Sequence, residues 1–315
     1  MVLRERPALR HRPMVRLGST IYYGGLRALG VAAVNRRLRD AGLVLCYHNV
    51  VPTDGHGVGD PGLHVPRDRF ERQMRWLATH YDVVPLRQLI DMVGACASLR
   101  SVAAVTFDDG YAGVFEHGLP ILDALGIPAT VLLVAGALGR SEGFWWDQPQ
   151  IVESATRGRR ERWLKELRGD GEAILSGIQP VEDRGLPASH RPADWTTIQA
   201  ALGRGIEIGV HSATHRSLPT LNDAELEDEV IGSRAILHRA TGIWPEVFAY
   251  PYGHWDARVR ALVRSAGYRA GLTLDYGLNG AFADPWALRR VNVPALISDA
   301  AFEVWAGGVH RLRRA

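Results

Sequence analysis

Seven short apolar runs punctuate the chain, and each ends in polar residues, glycine or proline. Leu43–Tyr47 (LVLCY) stops at His48-Asn49, Val102–Phe107 (VAAVTF) at Asp108-Asp109-Gly110, and Thr130–Val134 (TVLLV) at Ala135-Gly136. Ile206–Val210 (IEIGV) stops at His211, Val247–Tyr250 (VFAY) at Pro251, Tyr268–Leu274 (YRAGLTL) at Asp275, and Arg290–Val293 (RVNV) at Pro294. Runs this short and this rich in Val, Leu and Ile predict strands buried on both faces of a parallel sheet.

Helical periodicity lies between the runs. Arg67–Thr79 places Phe70, Met74 and Leu77 on one face. Asn222–Thr241 opens on an Asn-Asp cap signal, carries acids early and ends at Gly242; His254–Ala266 ends at Gly267 in the same way. Strands alternating with helices predict right-handed crossovers. About seven such units in one domain predict a barrel, with an open doubly wound sheet as the alternative. The first turn has no G-x-G-x-x-G and the chain no phosphate-cradling G-x-x-x-x-G-K-[ST], so a dinucleotide site is not expected. The stretch 140–191 is long for one crossover and reads as an insertion on the barrel rim. Its Phe144-Trp145-Trp146 either packs it down or lines a cleft.

Composition sharpens this only in places. Length (315 residues), 46% hydrophobic and 23% charged residues are those of a globular protein. Cys46 and Cys96 are too few for a disulfide framework or a four-cysteine zinc site. The net charge of +3 hides an asymmetry, because residues 1–40 hold nine arginines against Glu5 and Asp40, leaving the rest net acidic. This basic arm lacks a clean signal-peptide cleavage site, and its apolar stretch Leu17–Val34 is broken by Arg27 and glycines. It predicts one amphipathic helix around Ser19–Arg39, packed on a domain spanning 41–315 or touching an anionic membrane surface. With no convincing leader, the expected location is the cytoplasm, at most the inner membrane face.

The chemistry gathers at strand ends, where parallel α/β folds place their reactive groups. Asp108-Asp109-Gly110 sets adjacent carboxylates after an apolar strand, a costly pair without a cation or donors; alone it is also a plain helix cap. His211-Ser212-Ala213-Thr214-His215 offers two imidazoles four apart that can face one ion if the segment is helical or tightly looped. A carboxylate and two imidazoles make a three-ligand catalytic divalent site with an open position. Phe248-Ala249-Tyr250-Pro251-Tyr252-Gly253 is a turn whose backbone N–H groups could face an oxyanion.

TFDDG, HSATH and FAYPYG, in this order and spacing, resemble the polysaccharide deacetylases of carbohydrate esterase family 4, the NodB-homology fold. LCYHNV, FERQMRWLATHYDVVPLRQL and LRRVNVPA support the likeness, which runs from about Leu43 to Pro294. The resemblance implies a distorted (β/α)7 barrel and metal-dependent hydrolysis of an N-acetyl group. Asp109, His211 and His215 would hold the metal, usually Zn2+. Asp108 would be the general base and the Tyr252 N–H an oxyanion donor, with Tyr111, Pro251 and Trp146 as substrate contacts. Two departures stand out. Many members brace the base with an Arg where this chain has Ala249, and many supply an acid His from a late motif, whereas only His310 follows His254 here. The likeness is therefore to the subgroup with rearranged motif order, which includes poly-N-acetylglucosamine deacetylases, and His48 takes the place of the protonated catalytic acid.

The expected substrate is an N-acetylated amino sugar, oligosaccharide or lipid-linked glycan; nucleic acid is not an expected partner. The competing readings are a non-catalytic carbohydrate-binding protein on the same fold, kept open by Ala249, and an amide hydrolase acting on a non-sugar.

Overall fold

The structure, a computed structural model, describes residues 13–55, 57–180 and 185–309. Its strands are β1 (Leu43–Tyr47), β2 (Asn49–Val51), β3 (His64–Pro66), β4 (Asp82–Val83), β5 (Val102–Phe107), β6 (Ala129–Leu133), β7 (Ile206–Val210), β8 (Val247–Ala249), β9 (Ala270–Leu272) and β10 (Val291–Asn292). Seven run parallel in the order β10-β1-β5-β6-β7-β8-β9, β4 joins β5, and β2 and β3 pair by themselves. The circle closes just before β10. Leu272 bridges Leu288, the Thr273 N–H donates to Leu288 O at 2.9 Å, and the Leu288 N–H donates to Gly271 O at 2.9 Å. That seam rules out the open sheet and yields the distorted (β/α)7 barrel.

Strand register decides what enters the barrel. Val44 pairs with Ala104, Leu132 with Gly209, and Ala249 with Leu272. Val44, Ala104, Leu132, Val247, Ala249, Leu272 and Leu288 form one core with Leu86, Leu89, Ile90 and Val93 of helix Leu86–Gly94. Gly209 is required on this face, because a Cβ there would lie 2.4 Å from Leu132 Cδ1 and 2.9 Å from Val247 O. The alternate residues, including Leu43, Leu45, Val105, Phe107, Val131, Val210 and Phe248, belong to the larger core beneath the surrounding helices. Carried one step past the strands, the inward series reaches Asp108 after β5 and His211 after β7.

Several predicted elements shift. The strands Thr130–Val134, Val247–Tyr250, Tyr268–Leu274 and Arg290–Val293 become β6, β8, β9 and β10 with shorter or displaced ends. The helix predicted over Asn222–Thr241 contains a π-helical stretch, Asp228–Gly232, and the one from His254 starts at Ala257 behind the Asp256 cap. The arm is two helices, Pro13–Ala28 and Val31–Leu38, because Gly30 takes a left-handed φ of 66° between them. The rim insertion carries helices Pro149–Ser154, Arg157–Lys165 and Gly171–Ser176, and Phe144, Trp145 and Trp146 are buried in the main core. The arm's residues 1–12 and His310 lie outside the described residues.

Candidate active site

Asp109, His211 and His215 converge on one point. His211 Nε2 lies 3.1 Å from His215 Nε2 and 3.6 Å from Asp109 Oδ1, and His215 Nε2 lies 3.4 Å from the same oxygen. Donor atoms around a tetrahedral zinc with bonds near 2.0–2.1 Å stand about 3.3 Å apart. The His211 Nδ1–H donates to Ala249 O at 2.9 Å, which fixes the tautomer and leaves the Nε2 lone pair facing the cluster. Asp109 Oδ1 is buried and has no hydrogen-bond partner among the described residues. Burial, then Asp108 and Asp147, raise the Asp109 carboxyl well above the usual range, while burial, then His211, push the His215 imidazolium well down. An orphaned carboxylate oxygen beside two opposed imidazole nitrogens is a cluster short of one positive charge. Its residues fit a divalent cation.

The backbone is bent to make this cluster. Asp109, Ser212, His215 and Tyr252 all have left-handed φ, at 73°, 66°, 63° and 58°. The histidines share a loop rather than a helix. Ser212 Oγ accepts the His215 N–H at 2.9 Å, and buried Glu229 takes the Ala213 and Thr214 N–H groups at 2.9 Å each, together with the Thr214 hydroxyl. Glu229 sits in the π-helical stretch, where the extra residue per turn re-aims side chains. Its sequence signal is an acid on the apolar face that Leu226, Val230 and Leu237 define.

Asp108 has the brace that Ala249 cannot supply. Arg290 Nη1 and Nη2 donate to Asp108 Oδ1 and Oδ2, both at 2.7 Å, with both side chains buried. Arg290 is itself held by Thr273 O and Thr106 Oγ1. Burial alone would raise the Asp108 carboxyl; the guanidinium overrides it and holds the group well below the usual range. The Cys46 thiol donates to Asp108 Oδ2 at 3.4 Å.

His48 stands where the sequence placed it, with a ring nitrogen within 4.8 Å of both the Asp108 carboxylate and the Cys46 sulfur. Its expected charge is not supported. Burial, only partly offset by Asp108, pushes the imidazolium down to about 4, so the resting ring is neutral at pH 7. Tyr252 sits beside the cluster, its ring edge-on to His215 at 4.4 Å, and its N–H has no backbone partner among the described residues. Pro251 is buried at the head of that turn.

Tyr111 is corrected as a substrate contact. It is fully enclosed, donating to Asp147 Oδ2 at 2.6 Å and accepting from Trp146 Nε1 at 2.7 Å. Buried Asp147 also accepts from the Asp60 N–H at 2.8 Å and lies 2.9 Å from His64 Nε2. This network holds the Trp146 ring 4.5 Å from that of His215, on the wall of a cavity of about 810 Å³ between the insertion and the barrel. Tyr111 acts on the site by holding Trp146 in place.

The family model for polysaccharide deacetylases matches residues 97–271, more than half of the chain. The chain belongs to the polysaccharide deacetylase family. Its reaction class is hydrolytic deacetylation of sugar substrates, cleavage of a carbon–nitrogen bond outside peptides. Similarity to YxkH of Bacillus subtilis (strain 168) is 21% identity over 261 residues, covering 82% of this chain and 74% of that protein. Among solved structures, IcaB from Ammonifex degensii aligns at 21% identity and a TM-score of 0.61, over 86% of this chain and 98% of its own. The deacetylase PplD of Streptococcus pyogenes aligns at 16% and 0.60, over 82% and 94%. At these identities the structures speak for the fold, and they share this family member's distorted barrel.

Proposed function

We propose that this family member is a metal-dependent N-deacetylase that releases acetate from an N-acetylated amino sugar within a glycan or glycan precursor. The observation that carries the reading is the Asp109, His211 and His215 triad beside an Asp108 anchored by Arg290. Those three side chains would hold the divalent ion, here assigned as Zn2+, which when bound polarises an acyl oxygen and acidifies water. Asp108, ionised and fixed by two charge-assisted hydrogen bonds, takes the proton of the water that attacks the acetyl carbon. The Tyr252 N–H, without a backbone partner among the described residues, is available to the developing oxyanion. As the carbon–nitrogen bond breaks, the amine must gain a proton. His48 stands beside Asp108 to deliver it, passing on to the amine the proton that Asp108 took from the attacking water. Trp146 offers an aromatic edge to the sugar. The Arg290 brace removes the observation that favoured a binding-only protein.

Acetate release from a panel of N-acetylated sugars, with and without chelator, tests the reading. Turnover of at least one amino sugar is expected, abolished by chelator and by Asp108→Asn. Turnover unchanged by both would overturn the metal and base assignments.

A further inference from the structure

The two N-terminal helices bury one side on the C-terminal helix Asp299–Ala306 and present the other outward. Tyr23 accepts from Trp305 Nε1 at 3.0 Å, Ala32 packs against Gly307, and the Asn35 side chain donates to Gly307 O. Away from that contact, Ile21, Leu29, Val34 and Leu38 are 68%, 77%, 55% and 76% exposed, with Tyr22 beside them. Val34 and Leu38 are one turn apart and lie opposite buried Ala32. Arg37 and Arg39 are exposed among them, while Arg36 is drawn back over the rings of Trp76 and Tyr81. Between Arg6 and Arg39 the sequence contains no acid.

Arg27 is turned to Glu303 at 3.0 Å, but large aliphatic side chains left in water beside the exposed Arg37 and Arg39 are the composition of an interfacial helix. None of the described helices is long and apolar enough to cross a membrane. A second copy is the poorer occupant, since a two-fold contact would bring Arg37 and Arg39 of both copies together. We propose that helices 13–28 and 31–38 form a docking surface for an anionic lipid bilayer. Basic side chains there attract the headgroups, and Ile21, Leu29, Val34 and Leu38 insert among them. Each arginine near an anionic surface strengthens partition roughly fivefold.

The test is co-sedimentation of the full chain with phosphatidylcholine vesicles, with and without phosphatidylglycerol, beside a measurement of solution mass. Binding is expected only to the anionic vesicles. It should fall at least tenfold in Arg37→Glu/Arg39→Glu and, independently, in Leu29→Asp/Leu38→Asp, with unchanged circular dichroism. Equal binding to both vesicle types, or none to either, overturns the proposal. So does loss only in the arginine pair, which marks a soluble polyanion as the partner. A dimer that the Leu29→Asp/Leu38→Asp variant dissociates would make the face an interface between copies.

Discussion

Arg290 and Asp108 are separated by 182 positions, yet they make the strongest polar contact of the site. The pair has a definite sign. With its native carboxyl held below the unfolded value, Asp108 adds stability at pH above the ordinary aspartate range and loses it as the pH falls. Removing the guanidinium leaves burial opposed only by the neighbouring His211 and His48, and the carboxyl must rise. Arg290→Met is therefore expected to move the acidic limb of the pH–rate profile upward by roughly 1–3 units and to cost about 3–5 kcal/mol in denaturant unfolding. Activity should fall far more at pH 4 than at pH 7; an unshifted limb would show that Arg290 does not set the base. Sequence alone could not single this residue out. Arg289 and Arg290 are chemically identical neighbours, and only the barrel seam turns Arg290 inward while Arg289 stays exposed. Tyr111 is the opposite case, a strand-end residue next to TFDDG whose hydroxyl the fold encloses against Asp147 and Trp146.

At the scale of elements, the histidine loop is as much the work of a helix as of a strand. β7 delivers His211 to the barrel mouth, but Glu229 on the neighbouring helix gathers the loop N–H groups that bend the chain back to His215. Glu229→Gln keeps the shape and loses the charge, so zinc affinity should drop about 10–100-fold, read by competition with a chromophoric chelator. Unchanged affinity would make Glu229 a loop support without influence on the ligands. Asn222–Thr241 was legible as a helix from its cap, its early acids and Gly242. Its π-helical stretch was not, since π geometry depends on packing that no local pattern encodes. The arm shows the same limit. Its amphipathic period was legible, but a left-handed Gly30 divides it, and glycine tolerates either side of φ equally.

For the whole molecule, closure of the sheet is what turns scattered motifs into one site. The inward face of alternate positions carries Cys46 and His48 from β1, Thr106 and Asp108 from β5, His211 from β7 and Ala249 from β8. That alternation was readable because apolar runs ended abruptly in polar residues, and those residues are the ones the barrel mouth collects. The seam between β9 and β10 was not readable, because it rests on single bridges rather than a long run. The most direct test is the zinc content of the purified full chain and of Asp109→Ala after dialysis against buffered zinc. About one ion per native chain, with almost none retained by the variant, is the predicted result. Zinc bound equally well by Asp109→Ala, or not at all by the native chain, would contradict the assignment of Asp109, His211 and His215 as a metal centre.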